Sequence, residues 1–204
     1  MKPALRRALL WVVALGLCLA FVRAGLWQSG RAVEKETLLA DSARVLAERQ
    51  PEPLADALAA MPAWVAVEGG FEAIPAIRLD NQRRGPQVGV QVYRAFRLDD
   101  GPRLWVDIGW RPLPADRRVP DEAPMPAAPM RLEGLLVPPP SAGLALGPAA
   151  SVLPDGGRLA LRLEPAVLRE AGEALDGAVL RLDPATALGH ERDLDLLANT
   201  LSPD

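Results

Sequence analysis

The longest apolar segment of the chain lies near its N-terminus. Residues 8–22 carry no charge, and the apolar character continues to Trp27 with Arg23 as the one charged position. A helix of about 20 apolar residues crosses the hydrocarbon core of a bilayer, and an arginine near its end can extend its guanidinium to the lipid headgroups. The pattern therefore predicts a membrane-spanning helix.

The flanks of this segment indicate its direction in the membrane. Trp11 and Trp27 lie roughly 24 Å apart at ~1.5 Å per helical residue, so both indoles reach the interfaces where tryptophan is enriched. Lys2, Arg6 and Arg7 precede the segment, whereas no acid occurs before residue 34. Because positive flanks stay in the cytoplasm, we expect a single span in the plasma (inner) membrane and a periplasmic main domain.

A cleaved signal peptide shows a similar pattern of charge and hydrophobicity. The nearest small-residue pattern, Val22-Arg23-Ala24, places a valine and an arginine where a signal peptidase prefers small neutral residues. Cys18 follows Leu17, which is too large for a lipoprotein processing site. The sequence therefore favours a retained anchor over a cleaved signal.

Helix-forming residues continue beyond the apolar segment. Residues 31–49 are rich in Ala, Leu, Glu and Arg and lack Gly and Pro, which favours a helix that Pro51 and Pro53 end. A short second helix is predicted over Leu54–Ala60. The chain thus divides into a cytoplasmic tail and anchor at 1–31, a helical stalk at 32–62 and an extracytoplasmic β-rich domain at 63–204.

Beyond residue 62 the hydrophobic pattern alternates, which predicts strands. The clearest runs are Val88–Val92 and Leu104–Trp110, and residues 99–102 between them supply the Asp, Gly and Pro that a hairpin turn requires. Because residues five apart on a strand face opposite sides, one of Trp105 and Trp110 is expected in the core and the other at the surface or in an interface. Further strands are predicted at Val65–Phe71, Ile77–Asn81, Met130–Val137, Leu159–Leu163 and Val179–Leu182.

Prolines and glycines separate these strands. The segment from 113 to 130 holds five prolines and predicts an extended surface loop, because proline removes a donor and fixes φ. Pro165 begins a helix predicted through Leu175, with Gly177 after its end. The pattern indicates an α+β, β-rich fold, in which the N-terminal transmembrane helix is followed by an antiparallel sheet or partly closed barrel with a few helices.

The composition argues against nucleic acid as a partner and against a stabilising disulfide bond. The chain has a net charge of −3, and beyond residue 23 there are 19 basic residues against 26 acidic ones. This excess of acid argues against nucleic acid as a partner. The single cysteine cannot form an internal disulfide, so the outer domain must be stable without one.

Residues that could carry catalytic or metal chemistry are few. One histidine, His190, cannot form a multi-histidine metal site, and the sequence lacks a Gly-x-Ser-x-Gly or a phosphate-binding glycine motif. The pairs Asp99-Asp100 and Asp121-Glu122 lie in predicted turns and are expected to be solvated, and His190 is expected to be exposed and structural. Asp193 and Asp195 are too few ligands for Ca²⁺. We therefore expect a domain that is not an enzyme and has no metal site.

Short motifs recur in a fixed order from the anchor to the C-terminus, and each alone is unspecific. They are Gly25-Leu26-Trp27-Gln28 with Arg31 and Lys35, Gly69-Gly70-Phe71, Asp80-Asn81 with Gly85 and Gly89, Asp107-Ile108-Gly109-Trp110 with Pro112, Glu133-Gly134 with Pro138, and Asn199-Thr200-Leu201. Together, behind an anchor of this orientation, they resemble the Surfeit locus protein 1 family of cytochrome c oxidase assembly factors.

This resemblance implies a non-enzymatic factor in haem-copper oxidase biogenesis, with cytochrome c oxidase subunits and membrane lipid as partners and haem A as a candidate cofactor. Gly25, Trp27, Gln28 and Arg31 would form a partner or membrane-exit motif, and the same residues also suit an ordinary interface anchor. The family residues that we interpret as serving the fold are Asp80, Asn81, Gly109, Trp110 and Gly134.

The sequence departs from the family pattern in two places. The family's Asn-Arg-Gly-Trp reads Asp107-Ile108-Gly109-Trp110, which keeps the Gly-Trp pair and loses the two polar residues. Family members also carry a second span after the Asn-Thr-Leu segment, beginning near a histidine implicated in haem binding, whereas this sequence ends at Asp204. His190 lies upstream of that position, so the haem role is not transferred to it.

Three explanations of the missing span stay open: a fragment, a truncated gene, or an anchor that suffices alone. Two other functions also remain. One is an anchored periplasmic enzyme or ligand-binding module that uses a pocket in the β domain, and the other is a truncated family member without function.

Overall fold

The computed structural model describes residues 3–99, 101–140, 148–170 and 174–194. The chain divides into two compact units, residues 1–41 and 42–204. The described residues do not include Asp100, Asp195 or the Asn199-Thr200-Leu201 motif.

One continuous helix, α1 (Pro3–Glu48), contains the apolar segment and nearly all of the helix predicted over residues 31–49. Its stretch Leu10–Arg31 has a mean hydropathy of 2.0 and buries none of its residues. It is the one described helix that is long and apolar enough to cross a membrane. α1 ends where Arg49 adopts φ +45 ahead of Pro51, as the sequence predicts.

Within its described residues, the second unit contains the end of α1, two short helices and eight strands. In chain order these are α2 (Leu54–Ala59), β1 (Ala63–Phe71), β2 (Ile77–Arg84), β3 (Gln87–Leu98), β4 (Arg103–Pro112), β5 (Met130–Val137), β6 (Ala150–Val152), β7 (Arg158–Ala160), α3 (Pro165–Glu170) and β8 (Ala174–Leu182). The fold is α+β and β-rich, which confirms the predicted class.

Five of these strands close into a ring in the order β1-β5-β8-β4-β3, because β1 also pairs with β3. The long strand β3 makes this closure. Its first half pairs with β2, and Phe96–Leu98 near its end pair with β1 along the same edge. Strands β2, β7 and β6 therefore extend from the ring as an outer leaf. The result is a partly closed barrel, as expected.

The sheet is mixed, which corrects the expectation of an antiparallel one. β4 pairs with β8 in parallel, and so does β2 with β7. Parallel neighbours need a long connection, and the connections from β2 to β7 and from β4 to β8 pass through several other elements. Alternation along single strands contains no information on such distant pairings.

Alternate residues of the strands face two different cores. The barrel interior is lined by one alternating set, which includes Val92, Phe96 and Val106. Tyr93 and Trp105, on the opposite face of the same strands, pack with Val167 and Leu168 of α3. A third cluster joins α1 to the barrel through Val45, Trp64, Leu135, Val137 and Leu194.

Several sequence predictions fail at particular boundaries. The helix predicted through Leu175 ends at Glu170, and Ala174 and Leu175 belong to β8. Gly177, with φ +74, lies where the pairing of β4 and β8 is irregular, so its turn signal marks a distortion in a strand and not the end of a helix. Trp105 and Trp110 are both buried within the domain, whereas one of them was expected at the surface or in an interface.

We expect Gly134→Ala to lower the free energy of unfolding by about 3 kcal/mol, because a Cβ at this position would overlap the carbonyl oxygen of Arg181 and force β5 away from β8. Gly70→Ala is the matched control, since its Cβ would lie 3.6 Å from the Ala127 oxygen, an ordinary contact. Urea unfolding of the full chain in detergent, followed by tryptophan fluorescence, compares them. Equal losses in the two variants would contradict this account of the β5–β8 contact.

Candidate functional site

The candidate site lies at one end of the barrel, beside a β-bulge in β4. The pairing with β3 shifts between Val92 and Tyr93, because Gly109 opposes Val92 and Asp107 opposes Tyr93, which leaves Ile108 as the extra residue. The Oδ1 of Asp107 accepts hydrogen bonds from the Gln91 amide (2.5 Å) and from the Gly109 backbone N–H (2.9 Å). One buried carboxylate therefore holds the bulge in place.

Residues 189–191 pair with the bulge, and Trp110 and Glu191 form an isolated antiparallel bridge. The His190 N–H donates to the Ile108 carbonyl (2.8 Å), and the Trp110 N–H donates to the Glu191 carbonyl (2.7 Å). Gly109 has φ +118, and a Cβ there would come within 2.8 Å of the Glu191 oxygen. Only glycine allows both this conformation and this approach. The position of His190 thus follows from the bulge.

His190 meets a glutamate from the proline-rich loop. Its Nε2 lies 2.8 Å from Oε2 of Glu122, while Oε1 of Glu122 accepts from Arg111 at 3.0 Å. An ionised carboxylate can only accept, so the histidine nitrogen is the donor. The Glu122 side chain is only 5 % exposed. It is therefore a buried acceptor with both oxygens engaged.

The neighbours of Glu122 determine its charge. Burial would raise the pKa of Glu122, but the hydrogen bond and charge of His190, followed by those of Arg111, outweigh it and hold the pKa below its ordinary value of 4.5. For Asp107, burial is the larger effect and raises the pKa, although Arg181, Gln91 and Gly109 oppose it. The surroundings thus lower the pKa of Glu122 and raise the pKa of Asp107.

A surface cleft of about 490 Å³ opens beside these residues. Residues 121–126 of the loop form one wall, residues 187–190 form the other, and Ile108 and Arg111 lie between them. Most of the lining consists of apolar side chains and backbone, with Glu122, Arg111 and His190 as the buried or half-buried polar groups. Such a surface is suited to binding an amphipathic segment of a partner.

The structure brings two of the predicted family residues next to the cleft. Gly109 forms the bulge, and Trp110 is buried, donates from Nε1 to the Gln82 carbonyl (3.0 Å) and stacks under the Arg84 guanidinium. Asp80 and Asn81 instead form an irregularity in β2, where Asn81 has φ +58 and its N–H donates to Asp80.

The other predicted residues lie in separate parts of the chain. Gly134 lies on β5 against β8. Gly25, Trp27, Gln28 and Arg31 are exposed along α1, within the first unit. Asp193 forms ion pairs with Arg84 and Arg181, and no group of metal-binding side chains occurs within the described residues.

Two expectations about this region are wrong. His190, expected to be exposed, has a side chain that is 25 % exposed and bonded to Glu122, and Glu122, expected to be solvated, is buried. These residues are 68 positions apart and belong to segments without regular periodicity. The Gly189-His190 pair is the one sequence feature that points to this contact. A glycine permits a close approach of two backbone segments, and it lies directly before the single histidine of the sequence.

Asp107→Asn is expected to change the free energy of unfolding at pH 7 by less than about 1 kcal/mol, because an amide oxygen can still accept from Gln91 and Gly109. Asp107→Ala should lose about 3 kcal/mol, since it leaves both donors unpaired. The raised pKa also means that Asp107 favours the folded state less as pH rises, and the Asn variant should lack this dependence. Urea unfolding across pH measures both effects, and equal destabilisation by the two substitutions would contradict the role of Oδ1.

Comparison with known proteins gives a match to a protein family, and it covers almost the whole length of the chain. No curated protein and no solved structure matches it significantly. The sequence model of the SURF1 family, however, matches residues 15–198, a range that covers most of the apolar stretch and all of the barrel strands, and the chain therefore belongs to the SURF1 family.

Proposed function

We propose that this chain is a membrane-anchored, non-enzymatic assembly factor for cytochrome c oxidase, whose subunits are its partners. The observation that carries the proposal is the family match over residues 15–198, because SURF1 is known as a family of cytochrome oxidase assembly proteins. An anchored domain of this kind raises the local concentration of its partner at the membrane surface.

The N-terminal helix supports a single span with the barrel on the periplasmic side. The charged residues that precede its apolar stretch Leu10–Arg31 are all basic, and this charge distribution favours an N-terminus in the cytoplasm. Gly25, Trp27, Gln28 and Arg31 then lie at the membrane exit, where they would contact a neighbouring oxidase subunit. All four residues are exposed, which is compatible with this contact.

The polar groups of the cleft favour binding over catalysis. Both oxygens of Glu122 are engaged, and its lowered pKa makes it a weak base near neutral pH. His190 donates its Nε2 proton to that carboxylate. The cleft is therefore a surface for docking a protein segment, with Arg111 and His190 at its edge.

The residues of the cleft do not fit a haem ligand site. The sequence has one histidine, and the Nε2 of His190 is committed to Glu122 at 2.8 Å. Met125, the thioether that lines the same cleft, packs against the barrel interior. Neither side chain is available to haem iron in this arrangement, so the assembly role proposed here involves no haem step on these residues.

Deletion of the gene is expected to lower cytochrome c oxidase activity and the haem signal in the reduced-minus-oxidised spectrum of the membranes, and the 204-residue chain should restore both. Ala187→Trp, which fills the cleft, should restore less activity than Ser151→Trp, which adds the same side chain to an exposed position on β6. Unchanged membranes after deletion would contradict the assembly role. Full rescue by Ala187→Trp would instead exclude the cleft as the docking surface.

Orientation can be tested with single cysteines in a Cys18→Ser background. A membrane-impermeant maleimide added to intact spheroplasts should label Ser151→Cys, on the barrel, and should leave Pro3→Cys unlabelled until the membrane is permeabilised. The reverse pattern would contradict the proposed topology. Labelling of both positions in intact spheroplasts would also contradict a single span between them.

A further inference from the structure

The connection between β4 and β5, residues 113–129, is attached to the barrel at a few defined points, and we call it the strap. It contains five prolines, which supply no backbone donor. At its start the Leu113 N–H donates to the Val88 carbonyl (3.0 Å), and Arg117 forms an exposed ion pair with Asp80 (3.9 Å). The remaining attachments lie at three consecutive residues. Arg111 donates to the Asp121 carbonyl (3.0 Å), Arg94 donates to the Ala123 carbonyl (2.5 Å), and the Glu122 carboxylate lies between these two contacts.

The Glu122 side chain differs from the two carbonyls because its bonds depend on its charge. It joins the strap to β4 through Arg111 and to residues 189–191 through His190. With a side chain that is 5 % exposed, it is shielded from water. A neutral carboxyl would lose the charge-assisted part of both bonds, and the half-buried Arg111 would lose its counter-charge.

The groups that face Glu122 are mostly cationic. They are Arg111 on β4, His190 beside the bulge, and Arg94 on β3, which is 7 % exposed and has a buried Nε without a partner. Beyond Arg94 lie Arg78 and Asp155, which neutralise each other in an ion pair. Glu122 therefore balances a locally positive field, and its neutralisation would leave the strap opposite uncompensated charge.

The strap covers part of the barrel interior and forms one wall of the cleft. Met125 and Leu113 pack against the interior cluster from the two parts of the strap. Residues 121–126 line the cleft directly. Detachment at Glu122 would therefore expose Met125 and widen the cleft, while the strands beneath keep their own hydrogen bonds.

We propose that the ionised Glu122 carboxylate is a latch that holds the strap against the barrel. Loss of this negative charge releases the strap and opens the cleft without unfolding the barrel. The device is a property of this fold and does not depend on the proposed assembly function. The direction of its pH response follows from linkage. Because the pKa of Glu122 is lowered in the folded chain, the latch is fully formed above 4.5 and is lost as pH falls through the lower folded value.

A single cysteine at Met125 reports on the strap directly. In the full chain in detergent, with Cys18→Ser, the rate at which Met125→Cys reacts with a pyridyl disulfide measures its exposure, normalised to Ser151→Cys at each pH. Adding Glu122→Gln should raise this rate about tenfold at pH 7, because the amide places a donor opposite Arg111 or His190. Glu133→Gln, at an acid that is 41 % exposed on β5, is the matched control and should leave the rate unchanged.

Lowering the pH should open the strap of the parent chain and have no further effect on Glu122→Gln. His190→Gln should keep the strap closed better than His190→Ala, since an amide can still donate to the carboxylate. Val92→Cys, in the barrel core, should stay unreactive throughout. Equal rates with Glu122 and with Gln, or a core cysteine that becomes reactive together with Met125→Cys, would overturn the proposal.

Discussion

The close approach of backbone at the β4 bulge is the constraint on which the rest of the site depends. Ile108 is the extra residue, Gly109 supplies a conformation that other residues rarely adopt, and Asp107 fixes both from beneath. Residues 189–191 can pair with β4 only at this distortion. The position of His190, its bond to Glu122, the path of the strap and one wall of the cleft all follow from it.

Arginine and carboxylate are distributed in this domain so that buried charges have partners on other elements. Arg78 pairs with Asp155, Arg103 with Glu72, and Arg111 with Glu122. Removing one member of such a pair leaves an uncompensated charge, which is more costly than the pair is stabilising. These pairs therefore specify how loops attach to the sheet more than they add to stability. Loop geometry thus depends on ionisation, whereas strand geometry depends on apolar burial.

Local pattern was enough to predict much of the fold and little of the site. The apolar helix and its helical continuation, the hairpin of β3 and β4, and β5 from Met130 to Val137 agree with the sequence because their signals lie within the element. The parallel neighbours, the three-residue strand β6 and the burial of Trp110 depend on distant segments. The same limit hid the Glu122–His190 pair, since a charged residue in a proline-rich segment normally indicates solvent exposure.

Ring closure also constrains the order in which this domain can form. β8 lies between β5 and β4, yet it is the last of the described strands to leave the ribosome or the translocon. Until it arrives, an edge of β4 and an edge of β5 remain unpaired, and open edges of this kind template aggregation. The edge of β5 therefore stays unpaired while the 36 residues between β5 and β8 are synthesised, and the nascent domain is prone to aggregate during that interval. Tethering by α1 during this interval keeps each nascent copy in the membrane plane and limits its encounters with others.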